Sequence, residues 1–227
     1  MEHVEDRLQR TRRAWLRRAL LAGAGLPLLL ADALAAGKRA SGMVELKGEV
    51  RINGKPARPG AALKPGDGVT TGPGASAVFV LGRDAFLIRE NSEMRMAGGD
   101  ALAAPLRLLT GRLLSVFGRG ARSIVTSTAT IGIRGTGIYL EADAERTYVC
   151  TCYGRVELQA NSAPGARETV ETTHHDAPRY VYARGDMPIK MIEAAPVINH
   201  TDAELVMLEA LVGRKPPFTG AAEKYKY

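Results

Sequence analysis

The two cysteines of the chain, Cys150 and Cys152, are separated by a single residue. Residues two apart in a β-strand point to the same face, so both thiols are expected to project together. Their Cα atoms would lie roughly 6.5–7 Å apart, which is the upper edge of disulfide geometry. The pair therefore predicts either a strained, reducible disulfide or two thiolate ligands of one metal ion.

Three histidines could complete a metal site with these thiols: His174, His175 and His200. Asp176 and Pro178 predict a turn that fixes His175, and a predicted helix cap holds the backbone of His200. Two thiolates and two imidazoles suit zinc or copper, because both metals accept mixed sulfur and nitrogen ligands. The alternative is a disulfide, with the histidines acting as ordinary turn and cap residues.

Known catalytic patterns are missing from the sequence: it has no HExxH motif, no Walker sequence and no Ser-His-Asp order. The glycine-rich segment 131–137 lacks the GxGxxG order, and a strand pattern rather than a helix follows it. We therefore expect a protein that is not an enzyme.

Composition narrows the class of protein further. The chain has 227 residues, of which 45% are hydrophobic and 24% charged, which is typical of a globular protein. Its net charge is +7, but the basic residues are scattered and only 5% of the chain is aromatic. Nucleic-acid binding is not expected, because it calls for a basic stripe or stacking aromatic residues.

The N-terminus carries the pattern of an export signal. Residues 11–17 (TRRAWLR) resemble the twin-arginine signal, and a short apolar stretch, 19–31, ends at Asp32. Residues 33–35 (ALA) offer a signal-peptidase site. We predict a twin-arginine signal peptide over 1–35, a periplasmic mature protein and no stable membrane span after cleavage. The alternative is an uncleaved N-terminal anchor in the inner membrane.

The region 43–159 consists of short apolar segments punctuated by turn residues. Asn53-Gly54 predicts a tight hairpin, and 65–67 (PGD) and 72–74 (GPG) predict further turns. No segment in this region sustains a helical period. The region is therefore expected to be all-β.

Three motifs in this region resemble those of the FecR domain family: 66–72 (GDGVTTG), 129–138 (ATIGIRGTGI) and 154–157 (GRVE). The resemblance implies a short-stranded domain, roll-like or sandwich-like, over 43–159. It also implies a periplasmic part of a signalling system that couples iron-transport receptors to a sigma factor. Only eighteen residues precede the apolar stretch, so we expect no segment here that holds a sigma factor.

The remaining residues, 160–227, form an extension that departs from the family pattern. Thr201 and Glu204 match a capping box, and apolar residues at helical spacing predict one α-helix over about 202–212. Its apolar face should dock on the β domain rather than on a partner.

Taken together, the sequence predicts an exported, non-enzymatic FecR-like protein of the periplasm. It would act in binding, sensing or scaffolding, with a protein partner in the cell envelope and a role in signal transduction linked to metal uptake. The alternative is a metal-binding or thiol-redox protein that uses Cys150, Cys152 and the histidines on the same scaffold.

Overall fold

The computed structural model of the protein describes residues 41–96, 98, 105–184 and 190–218. The predicted signal peptide, 1–35, lies outside the described residues. The strands are β1 (Gly42–Lys47), β2 (Val50–Ile52), β3 (Lys55–Pro56), β4 (Gly68–Thr71), β5 (Ser76–Leu81), β6 (Asp84–Ile88), β7 (Glu93–Met96), β8 (Leu106–Val116), β9 (Ala121–Val125), β10 (Ala129–Ala142), β11 (Arg146–Ala160), β12 (Arg167–Thr172), β13 (Arg179–Tyr182) and β14 (Ile192–Ala194). The helix α1 spans Asp202–Leu211.

These strands join in one hydrogen-bonded network of 14 strands. All pairs among the described residues are antiparallel except β8 with β9. The long strands β10 and β11 pair along most of their length and form the centre of the molecule. The predicted all-β fold with a C-terminal helix is confirmed.

Local signals in the sequence account for the ends of several elements. Asn53 and Gly54 both adopt positive φ angles, 51° and 77°, and join β2 to β3 as a two-residue hairpin. The helix α1 begins at the predicted capping box, in which Thr201 and Glu204 bond each other's backbone N–H groups. It was predicted over 202–212 and is observed over Asp202–Leu211.

The extension continues the sheet of the β domain. Strands β12 and β13 pair with β11 at two different places along it, and β14 pairs with β13. No helix among the described residues is long and apolar enough to span a membrane.

Alternation along the central strands separates two hydrophobic clusters. One, which we call the strand core, contains residues such as Leu113, Leu140 and Val149. The other, which we call the helix-side core, lies under α1 and contains the sequence neighbours of those residues, including Tyr139 and Cys150. Leu205 and Leu208 of α1 are fully buried in the helix-side core, so the helix docks on the sheet as its apolar face predicts.

Candidate metal centre

Four of the five predicted ligands meet at one point in the helix-side core. The ligand atoms of Cys150, Cys152, His175 and His200 all lie within 4.8 Å of one another. At most 3% of any of these residues is exposed. The fifth predicted ligand, His174, lies beside this group but does not belong to it. Below, the four residues are called the Cys2His2 cluster.

The strand β11 brings the two thiols together through an irregularity in its pairing. Thr151 pairs with Ile138 and Tyr153 pairs with Gly137, so Cys152 is an extra residue in β11. Such a bulge re-aims side chains in a strand. Both cysteines are free thiols in the structure, and Cys152 Sγ donates to the Cys150 carbonyl oxygen at 3.7 Å.

A tight turn after β12 presents His175. The Asp176 carboxylate accepts hydrogen bonds from the backbone N–H groups of Thr173 and His174, both at 3.2 Å. His175 itself adopts a left-handed conformation with φ of 53°. Its backbone N–H donates to the Cys152 carbonyl oxygen at 3.0 Å. This backbone bond holds the turn directly against the cysteine strand.

The residues that precede α1 present His200. Asn199, immediately before it, has a φ of 56°, and its carbonyl oxygen accepts a hydrogen bond from Arg89 at 3.0 Å. The same Arg89 nitrogen donates to Glu204 at 2.8 Å, which ties the first turn of the helix to the end of β6. The His200 ring stacks on Tyr139 with 4.6 Å between ring centroids. The position of His200 therefore depends on the docking of the helix.

Outer hydrogen bonds set the proton positions on both rings. His200 Nδ1 lies 2.6 Å from the Ile198 carbonyl oxygen, which can only accept, so this nitrogen carries the proton. His175 Nε2 lies 3.0 Å from an Asp202 carboxylate oxygen and is protonated for the same reason. In the neutral rings, His175 Nδ1 and His200 Nε2 then carry lone pairs, and these two atoms are 3.0 Å apart. Facing lone pairs repel, so this arrangement requires a cation between them, either a proton or a metal ion.

Two of the donor–donor distances are close to those of tetrahedral coordination. A tetrahedral zinc ion with nitrogen and sulfur ligands sets its donor atoms about 3.3–3.8 Å apart. Cys150 Sγ lies 3.4 Å from His175 Nδ1, and the two ring nitrogens are 3.0 Å apart. These two distances are within a few tenths of an ångström of that range, and all four donor atoms lie within 4.8 Å of one another.

The cluster favours one thiolate before any metal binds. The hydrogen bond with Cys152, followed by those with His175 and His200, lowers the pKa of the Cys150 thiol despite its burial. Burial and the neighbouring Cys150 raise the pKa of Cys152 well above its usual range. Burial acts to lower the pKa of His175, but the contacts with Cys150 and Asp202 outweigh it and raise that pKa. A metal ion would displace the proton on Cys152, so binding should release protons.

Asp202 supports the cluster from outside. Burial acts to raise the pKa of Asp202, but hydrogen bonds from His174 and His175 outweigh it and lower that pKa, so the carboxylate is ionised. His174 Nε2 lies 2.9 Å from both of its oxygens. An acceptor on the far nitrogen of a ligating imidazole is the usual arrangement at metal sites, where it orients the ring.

The sequence predicted the four cluster residues as ligands, together with His174, but not Asp202. Asp202 is the first residue of α1, and the capping box involves its neighbours Thr201 and Glu204. The sequence therefore gives no local signal for its role beside the histidines. Because His174 and His175 are adjacent, the sequence does not indicate which of the two imidazoles faces the thiols. The structure directs His175 to the cysteines and His174 to Asp202.

Comparisons with known proteins show little. No family model matches the chain, and no curated protein matches it. Two crystal structures, each described as a "putative anti-sigma factor from Parabacteroides distasonis", are similar to the chain at 13% sequence identity with a TM-score of 0.46. The match covers 56% of this chain and 58% of those chains, so the chain spans less than two thirds of their length.

Proposed function

We propose that this protein is a non-enzymatic zinc-binding protein whose Cys2His2 cluster holds one zinc ion. The observation that carries the proposal is the 3.0 Å approach of His175 Nδ1 to His200 Nε2. The outer nitrogens of both rings already carry protons, so the two inner nitrogens need a shared cation, and we propose that this cation is zinc. Cys150 and Cys152 supply two thiolates beside these nitrogens. Zinc satisfies all four donors at once.

The donor set favours zinc over copper. Tetrahedral sites with two sulfur and two nitrogen ligands are typical of zinc, whereas blue-copper sites use one cysteine and two histidines in a trigonal arrangement. Four protein ligands also leave no open position for substrate or water, which is the pattern of structural zinc sites. Such a site would stabilise the fold rather than catalyse a reaction.

Burial weighs against a thiol-redox role. Neither Cys150 nor Cys152 has any exposed surface, whereas reactive cysteines are partly accessible to their substrates. The Cys150–His175 pair thus has no access to a disulfide substrate in the conformation observed.

The zinc site would join three separate parts of the chain: the strand β11, the turn after β12 and the residues before α1. The only helix among the described residues is thereby held to the sheet by a ligand as well as by packing. Occupancy of the site would then control whether the C-terminal region presents a fixed surface to a protein partner.

We propose that this protein acts in the periplasm as an exported, FecR-like component of a cell-envelope signalling system. The support is the twin-arginine-like segment 11–17 and the FecR-like motifs at 66–72, 129–138 and 154–157. In this role the zinc site supplies the sensory input, and the partner is another protein of the envelope.

Metal content tests the zinc proposal. The protein is purified under reducing conditions, and zinc is measured by native mass spectrometry and elemental analysis. We expect one zinc per chain, and we expect it to be lost in Cys152→Ser and in His200→Gln. His174→Gln is the matched control, because this histidine neighbours the cluster without joining it.

Cobalt substitution gives an independent readout of geometry. Co²⁺ in a tetrahedral site with two thiolates should give intense visible bands and a thiolate-to-metal charge-transfer band in the near ultraviolet. The proposal is wrong if unreduced protein has lost two protons at the cysteines and takes up no metal after mild reduction. If the purified protein contains copper instead of zinc, the four ligands still form a metal site, but zinc is the wrong metal.

Export is tested separately. Replacing Arg12 and Arg13 by Lys should retain the full-length protein in the cytoplasm. Trp15 is the only tryptophan of the chain, so the cleaved protein should show no tryptophan fluorescence. An exported sample that still emits would indicate a retained N-terminal anchor.

A further inference from the structure

A second site lies next to the Cys2His2 cluster, on the other side of His174. It is a cavity of about 810 Å³ between the C-terminal end of α1, the end of β8 and the bulged part of β10 and β11. This volume is within the range of small-molecule sites. None of the four proposed zinc ligands lines this cavity.

One wall of the cavity is aromatic. Phe117, Tyr153 and Phe218 line it together with Pro217 and the ring of His174. Phe218 lies 5.8 Å from Tyr153 and 4.5 Å from His174, measured between ring centroids. Rings at these distances form a continuous face against which a flat apolar group can pack.

The rim of the cavity is positively charged. Arg83, Arg119 and Lys215 line it, are exposed, and form no ion pair within the part of the chain that the structure describes. The one carboxylate in the lining, Glu209, is already engaged. Its oxygens accept hydrogen bonds from the Tyr153 hydroxyl and, at 2.5 Å, from Arg214 Nε. The cavity thus carries an excess of uncompensated positive charge.

Two of the guanidinium groups converge over a glycine. A Cβ atom on Gly118 would lie 3.2 Å from Arg83 Nε and 3.4 Å from Arg214 Nη1. It would also lie 3.0 Å from Arg83 Cβ, so a larger residue here would displace that side chain. Arg214 is already bonded to Glu209 and to the Arg83 carbonyl oxygen, whereas Arg83 forms no ion pair within the described residues. An uncompensated guanidinium group at the edge of an apolar cavity is suited to bind a carboxylate or sulfonate.

We propose that this cavity binds a small organic anion with an aromatic body. The ring system would pack against the face of Tyr153, His174 and Phe218. The acid group would pair at the rim with Arg83 and with Arg119, which also lines the cavity. His174 belongs both to this wall and to the hydrogen bonds around Asp202, so the two sites share one side chain. The anion site nevertheless uses none of the four proposed zinc ligands and does not depend on zinc.

Two dyes of nearly equal shape test the proposal. Anilinonaphthalene sulfonate carries a sulfonate, and phenylnaphthylamine is its uncharged analogue; both fluoresce when they bind in apolar surroundings. Titrated into the full chain, the sulfonate should bind saturably at one site and about tenfold more tightly than the uncharged dye. The same result is expected for Cys152→Ser, so a failure of the zinc proposal would be seen separately.

Variants separate the charged part of the site from the apolar part. The double variant Arg83→Ala/Arg119→Ala should weaken binding of the sulfonate dye about tenfold and leave binding of the uncharged dye unchanged. Phe218→Ala should weaken the binding of both dyes to a similar extent. The matched control, Arg58→Ala/Arg107→Ala, removes two exposed charges elsewhere and should change neither. Equal binding of both dyes, an unchanged double variant, or binding without saturation would overturn the proposal.

Discussion

The two cores on either side of the central strands are built from different residues. The buried residues of the strand core are all aliphatic, methionine or phenylalanine. The helix-side core contains three tyrosines and both cysteines, and His175 and His200 are buried next to it. Apart from the buried Asp84–Arg122 ion pair at the start of β6, the strand core is closed mainly by apolar packing. The helix-side core instead gathers two thiols and two imidazoles that need specific partners.

This difference follows from what covers each face. Strand residues fill the strand core, as with Leu113 and Leu140, which pair across β8 and β10 and share one face. The helix-side core is covered by one helix of 10 residues, whose first turn is held through Arg89 and Glu204. A helix this short is marginal alone, so its position depends on tertiary contacts and, as we propose, on zinc.

The largest expected effect comes from placing a charge under the helix. Leu208 is fully buried in the helix-side core, so Leu208→Asp should lower the free energy of unfolding by more than about 4 kcal/mol. Chemical denaturation measures this. Ala203→Asp, on the exposed side of α1, is the control and should change stability by less than about 0.5 kcal/mol. An unchanged melting temperature for Leu208→Asp would mean that the helix is free of the sheet.

Removal of zinc should destabilise the helix-side core and leave the strand core unchanged. With free zinc about a thousandfold above the dissociation constant, the bound ion contributes about 4 kcal/mol to stability, which a chelator should abolish. Leu113→Ala, in the strand core, should cost about 2–5 kcal/mol and leave the zinc-dependent increment unchanged. A smaller zinc increment in this variant would show that the cores are coupled.

The outer carboxylate should matter for affinity more than for folding. Asp202→Asn leaves His175 without its charged acceptor and should weaken zinc binding about 10- to 100-fold. Competition with a chromophoric chelator measures this. Asp143→Asn, at an exposed turn remote from the cluster, should leave zinc affinity unchanged. If Asp202→Asn binds zinc as tightly as the wild type, Asp202 does not contribute to the site.

The smallest effect is expected at the helix cap. Thr201→Ala removes the side chain that accepts from the Glu204 N–H group and should cost about 1 kcal/mol of stability. Zinc affinity should fall less than in Asp202→Asn, because the imidazole contacts remain. A larger loss of zinc affinity than in Asp202→Asn would mean that the cap, rather than the carboxylate, positions the site.

Local signals were sufficient for much of the fold. The Asn53-Gly54 hairpin follows from the preference of these residues for positive φ, and the start of α1 follows from its capping box. The pairing of β12 and β13 with β11 could not be predicted, because strand partners far apart in the chain are selected by the packing of the whole sheet. The same holds for the bulge at Cys152, which depends on the partner strand.

The sequence by itself determined the donor types, the close spacing of Cys150 and Cys152 and the positions of the predicted turn and helix that carry the histidines. Only the tertiary structure decided that His175 and His200 meet the thiols while His174 turns to Asp202. The reason is physical: His174 and His175 lie on the turn after β12, whereas His200 precedes α1, and the distance between these two segments is set by the docking of α1 on the sheet. Local conformational preference acts over a few residues, whereas His175 and His200 are 25 residues apart and meet only through that long-range packing.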